Sequence, residues 1–244
     1  HLLDEIVSLM ASSNMDEVFG GIRTLVMLAE SEFSHDNIQQ ALEIINEPLI
    51  CIVSNLEHEY PKRVRKYALK VMAEVWRSLA RMGGTSSKSI RKLGKTLIET
   101  WMGPIEALLC QPISQYDQLH YICFRILFYQ VGYFHSVFSE ELEDRLANLT
   151  ANYYTQLLQL YREGEVFGDS VLEEDDGYDS DSTRRSLTVL AGQVLQFVES
   201  FLGKSDKFRT LVLSSLDEFI STLVWYAHIT RAQESEWMHS AVGF

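Results

Sequence analysis

The stretch PKRVRKYALKVMAEVWRSLARMGG, residues 61–84, decides the fold. Its apolar residues Val64, Tyr67, Ala68, Val71, Val75 and Leu79 fall at i, i+3, i+4, i+7, i+11 and i+15, the period of a helix with one buried stripe. Pro61 stands at a natural helix start, where a missing N–H costs nothing. Gly83-Gly84 is a natural stop.

The same period recurs outward in both directions. Residues 183–202 carry Leu187, Leu190, Ala191, Val194, Leu195, Val198 and Leu202. Residues 206–228 carry Phe208, Leu211, Val212, Leu216, Phe219, Ile220, Leu223, Val224 and Ala227. No segment alternates with period two, so strands are not expected. The pattern predicts helices over 2–12, 15–32, 36–58, 61–82, 87–110, 115–135, 139–163, 183–202 and 206–228, with another starting near 231. Ser34, Ser114 and Ser139 are candidate N-caps. Helices of about 20 residues with short joins repeat every 40–47 residues, the spacing of HEAT or armadillo units. The expected fold is therefore all-α, a solenoid of about four and a half HEAT-type hairpins running through residues 1–244. Its first helices would be 15–32, 61–82, 115–135 and 183–202.

Composition agrees with long helices: 46% of the 244 residues are hydrophobic, and there are only 4 Pro. Cys51, Cys110 and Cys123 are too scattered for a disulfide framework or a zinc ribbon. No apolar run reaches membrane-spanning length. The chain opens and closes in mid-pattern, and we expect it to be an internal segment of a longer protein.

Charge is unevenly spread. The net charge is −13, yet residues 62–95 hold eleven of the 21 basic residues and one acid, Glu74. Lys62, Arg63, Lys66, Lys70, Arg77 and Arg81 lie on the polar side of the 61–82 helix. Three readings of them stand: a solvated outer face, a patch for an acidic partner, or a nucleic-acid face. The acidic remainder and the lack of interleaved stacking aromatics weigh against nucleic acid, so no direct nucleic-acid partner is expected. The opposite extreme is the segment 164–182, read as an inter-repeat loop. There Asp169, Glu173, Glu174, Asp175, Asp176, Asp179 and Asp181 crowd together. Counted from Asp175, the third position is Gly177 and the twelfth Ser186, so the EF-hand ligand pattern fails. A solvated linker and a docking site for basic cargo remain.

Searches for chemistry end without a site. Gly94-Lys95-Thr96 matches the tail of a phosphate-binding loop, but Ser89 replaces the first Gly and no strand precedes it. His58-Glu59 lacks the second His of a zinc-protease motif. His120 and His228 sit in helical patterns and read as structural imidazoles. The aromatic run Tyr121, Phe124, Phe128, Tyr129, Tyr133, Phe134 and Phe138 reads as core. No enzyme, cofactor or metal is expected.

Several of these runs resemble a known family. YDSD (178–181) is followed by VLQFVESFLGKSDKF (194–208), LDEFISTLVWYAHIT (216–230), and Gln233 with Trp237. Near the start stands LMASSNMDEVFGGIRTLVMLAES, residues 9–31. Together they resemble the β-karyopherins (importin-β superfamily), specifically the importin-9 branch. The resemblance implies stacked HEAT repeats and nuclear import of basic cargo such as core histones and ribosomal proteins. It further implies Ran GTPase binding, contact with phenylalanine-glycine nucleoporins, and shuttling between cytoplasm and nucleus. It places much of the Ran site in repeats before this segment, and further repeats after it. The alternative is a HEAT scaffold or regulatory subunit with no transport role.

Overall fold

In a computed structural model of the chain, the opening stretch forms a helix that other helices surround. The structure describes residues 2–31, 33–34, 37–56, 60–162 and 187–215, with positions 217, 220, 221 and 224. Among the described residues every regular element is helical, which establishes the all-α class. The helices are α1 (Leu2–Met10), α2 (Met15–Ser31), α3 (Ile38–Ser54), α4 (Lys62–Arg81), α5 (Lys88–Leu109), α6 (Ile113–Phe134), α7 (Glu140–Arg162), α8 (Leu187–Lys204) and α9 (Asp206–Ser214).

The chain divides into two compact units, residues 1–139 and 140–244. In the first unit, α4 packs on α2, α3 and α6. Fourteen of its residues are buried, including the charged Arg65, Lys66 and Glu74. The reading of 61–82 as a solvated outer helix is therefore overturned. The one-sided stripe was real, but Leu69, Met72 and Trp76 extend it around the helix. The even helices stack on one another, α2 on α4 and α4 on α6, and so do the odd ones, α1 on α3 and α3 on α5. Close pairs also join α1 to α2, α3 to α4 and α5 to α6.

That pairing differs in phase from the expected hairpins, which began at 15–32, 61–82 and 115–135. The reason lies in the connections. Residues 11–14 and 110–112 make tight reversals between α1 and α2 and between α5 and α6. The α4–α5 connection instead passes over the end of α6. Gly83 has φ 99°, and Gly84, at φ 52°, lies so close that a Cβ would sit 3.0 Å from the Tyr133 carbonyl oxygen. Only glycine meets both demands, left-handed backbone and close approach.

The aromatic core of this unit is centred on Trp76. Its ring meets Trp101 edge-on at 6.3 Å and Phe134 at 5.1 Å. Trp101 donates its indole N–H to Asn46 Oδ1 at 2.5 Å, tying α5 to α3. Phe134 fits because Gly94 has no side chain: a Cβ there would stand 2.4 Å from the ring. Gly94-Lys95-Thr96 thus lies in mid-helix, and the Thr96 hydroxyl donates to the Lys92 carbonyl. The glycine of this near-match to a phosphate loop serves helix packing.

In the second unit, α7 and α8 both pack on α9. Phe201 stacks on Phe208 with centroids 4.5 Å apart. Ser205 caps α9 by accepting from the Phe208 N–H at 3.0 Å, and its hydroxyl donates to Glu143. Lys207 reaches Asp144 at 2.9 Å. The predicted 206–228 helix is interrupted at Ser215, where ψ turns to 32°. Leu216, Phe219, Leu223 and Ala227 lie outside the described residues, as does the helix expected near 231. Expected caps also shift. Asn37 precedes α3 in place of Ser34, and α6 begins before Ser114.

Gly94→Ala is expected to destabilise the protein by about 1–3 kcal/mol, as overpacking does. Adding Phe134→Leu to Gly94→Ala should weaken the penalty of the glycine substitution relative to the same change in the wild-type background. Urea unfolding of the four proteins in this double-mutant cycle checks both statements; additive effects would show that the two sites do not meet.

Candidate functional site

Two charged sets came from the sequence. The acidic set, Asp169, Glu173, Glu174, Asp175, Asp176, Asp179 and Asp181, lies outside the described residues, as does the whole 164–182 segment. The basic set lies on α4, and its members can be placed one by one.

Lys62 is exposed but engaged. Tyr116 leaves helical geometry near the start of α6 (φ −126°, ψ 15°), and the neighbouring Gln115 carbonyl accepts from Lys62 Nζ at 2.7 Å. The same ammonium lies 5.1 Å from the Tyr116 ring centre. Arg63 lies 4.7 Å from the Phe19 ring centre and 3.7 Å from Asp16 of α2. Lys70 is half-buried beside the Tyr67 ring. Lys66 is only 5% exposed. Arg77 is half-buried and pairs with Glu74, which also takes Arg125 of α6 at 3.5 Å. Arg81, at the end of α4, is exposed. The six cations do not form one free surface: Lys62 ties α4 to α6, Arg63 ties it to α2, and Lys70 and Arg77 meet groups of α4 itself.

Burial sets the acid chemistry here. Glu74 is 6% exposed. Desolvation raises its pKa, and the Arg77 and Arg125 guanidiniums oppose the rise. Asp117 on α6 is raised for the same first reason, against its backbone hydrogen bonds and the charges of Lys62 and Lys66. His120 is fully buried, with Nε2 at 2.8 Å from the Leu108 carbonyl, to which its N–H donates. Burial pulls its pKa down to about 4, so the ring is neutral near pH 7. Its partner and its burial fit a structural imidazole. Burial also pushes the Cys123 thiol up, while Cys51 and Cys110 are exposed and free.

A different cationic surface emerges on α5. Lys88, Arg91, Lys92 and Lys95 are all exposed, at i, i+3, i+4 and i+7. Ile90, Gly94, Leu97, Ile98 and Trp101 are buried on the other side of that helix. The signal was available in the sequence, because the same spacing rule that marks an apolar stripe marks a basic one.

Among the described residues no group of three or more His, Cys, Asp and Glu is placed to hold a metal. None of their helices is long and apolar enough to cross a membrane. The second unit has a cavity of about 50 Å³ between Thr150, Tyr154, Val198, Phe208, Leu211 and Val212. It is far smaller than the roughly 300–1,000 Å³ of a metabolite pocket.

No family model matches the chain, and no curated protein matches it. Among solved structures, the chain is similar to the crystal structure of an engineered protein from the Northeast Structural Genomics Consortium. The TM-score is 0.53 at 12% identity, covering 88% of this chain and 68% of that one. This likeness concerns the fold alone.

The His120 environment gives a signed pH dependence. Its folded pKa is about 4 and its model-peptide value 6.5, so between these values the unfolded chain binds the extra proton. Stability from the neutral ring is complete above pH 6.5 and falls as the pH drops toward 4, by up to about 3 kcal/mol. The raised carboxyls of Glu74 and Asp117 act in the opposite sense. Urea unfolding of wild type and His120→Gln across this range separates the contributions. The wild type should lose more stability toward acid than the variant, and parallel curves would contradict the assignment.

Proposed function

We propose that the chain is a segment of a β-karyopherin-type nuclear import receptor, built as a HEAT solenoid and binding basic protein cargo. The observation that carries this reading is the sequence run from YDSD (178–181) through GKSDKF (203–208) to LDEFISTLVWYAHIT (216–230), Gln233 and Trp237. The two-layer stacking of even and odd helices in the first unit supports the solenoid part, because each helix then leans on the next of its own layer.

In this reading the carboxylates Asp169, Glu173, Glu174, Asp175, Asp176, Asp179 and Asp181 attract lysine-rich cargo such as core histones or ribosomal proteins. Exposed ion pairs contribute only about 0–1 kcal/mol each, so the gain falls mainly on association rate. Ran GTPase and phenylalanine-glycine nucleoporins engage the receptor as a whole, which shuttles between cytoplasm and nucleus. The chain acts without catalysis. The second reading, a HEAT scaffold, draws on the same helix stacking. Ran dependence separates the two.

The test is association of a core-histone dimer with the chain across a salt series. The comparison protein carries Glu173, Glu174, Asp175, Asp176, Asp179 and Asp181 changed to Ser or Asn. The expected outcome is fast, salt-sensitive binding that slows about tenfold or more in the variant. Equal rates and equal salt slopes would overturn the acidic docking role. In a receptor that also carries the Ran-binding repeats, Ran–GTP should release the histones; persistent binding would favour the scaffold.

A further inference from the structure

We propose that the exposed face of the first half of α5, formed by Lys88, Arg91, Lys92 and Lys95, is a docking surface for an acidic segment of another protein. This is separate from the transport reading and from the cargo-binding acids.

The first argument is a contrast between two basic helix starts. Five helices, α3, α4, α5, α6 and α8, have no acid in the first turn. Of these, α4 and α5 differ from the other three in placing Lys or Arg there, Lys62 and Arg63 on α4 and Lys88 and Arg91 on α5. Cations in the first turn of a helix, such as Lys88 and Arg91, face the positive end of the helix dipole, which is unfavourable. On α4 the fold offsets this. Lys62 has the Gln115 carbonyl and the Tyr116 ring, and Arg63 has Asp16 and Phe19. On α5 no such compensation is present. Among the described residues Lys88, Arg91 and Lys92 meet no carboxylate, and Lys95 has only a loose 3.9 Å contact with Glu99. Local cost without local return is a mark of a surface kept for a partner.

The second argument is charge complementarity. The chain as a whole is acidic, at −13, yet these four positive side chains share one solvent face. They span eight residues, about 10 Å of helix from first to last. That length suits a short run of Asp and Glu side chains. It is too short to neutralise the many phosphates on which nucleic-acid affinity depends, and the acidic body opposes a long polyanion. The buried side of α5 carries Gly94, Trp101 and the Phe134 contact, so the surface stands on a rigid base.

The test uses the full chain and a fluorescently labelled glutamate-rich peptide, read by anisotropy. The comparison protein carries Lys88→Gln, Arg91→Gln, Lys92→Gln and Lys95→Gln. A control carries Lys204→Gln and Arg209→Gln, exposed cations of the second unit. The expected result is binding that added salt weakens, that falls about tenfold or more in the α5 variant, and that survives in the control. The α5 variant should also melt at the same temperature as wild type or higher, since it removes Lys88 and Arg91 from the wrong end of a dipole and the other two cations are exposed. A lower melting temperature would show that these cations serve the fold, and would overturn the proposal. So would an absence of peptide binding, or equal loss in the control. A DNA duplex that binds as tightly and is lost in the same variant would replace the protein partner with nucleic acid.

Discussion

The structure of the first unit depends on burying a highly charged helix. Residues of α4 enter the interface with α2, α3 and α6 on nearly every side, so its cations cannot all reach water. A buried charge left unpaired would cost several kcal/mol, which favours a partner for it. Glu74, itself buried, answers this by holding Arg77 and Arg125 together. Trp76 adds the apolar counterpart, since its ring touches both Trp101 and Phe134. Gly94 is the small residue that lets those rings converge.

Much of this was legible in the sequence, and the failures have physical causes. Period alone placed nearly every helix, because burial of one stripe dictates 3.6-residue spacing. Helix ends were also legible where chemistry is strict, as at Gly83-Gly84. The degree of burial of α4 was not legible, because a buried Arg or Lys looks like a solvated one until its partners on α2 and α6 are known. Hairpin phase was invisible for a similar reason. A stripe says that a helix is covered, not which neighbour covers it. The α5 cations Lys88, Arg91, Lys92 and Lys95 stand at helical spacing in the sequence, but such a run reads the same on any solvated helix until the buried side is known. As for the acidic set, its residues lie outside the described structure, and their role rests on sequence.

The resemblance to transport receptors draws partly on residues with architectural work. In GKSDKF, Ser205 caps α9 and anchors to Glu143, Lys207 reaches Asp144, and Phe208 stacks on Phe201. A motif of this kind supports a helical packing arrangement first and an activity only through it. Function, in the proposed reading, lies in two sets of charges. These are the carboxylates between Asp169 and Asp181 for basic cargo, and the α5 cations for an acidic partner.

The central claim is that α4 is an inner helix that buries Arg65 and Lys66, while α5 displays its cations. Amine-reactive labelling of the folded chain, followed by mass spectrometry of each lysine, tests this directly. Lys88, Lys92 and Lys95 should label rapidly, and Lys66, only 5% exposed, should label much more slowly. Labelling of Lys66 as fast as that of Lys92 would contradict the account, because α4 would then be the outer, solvated helix.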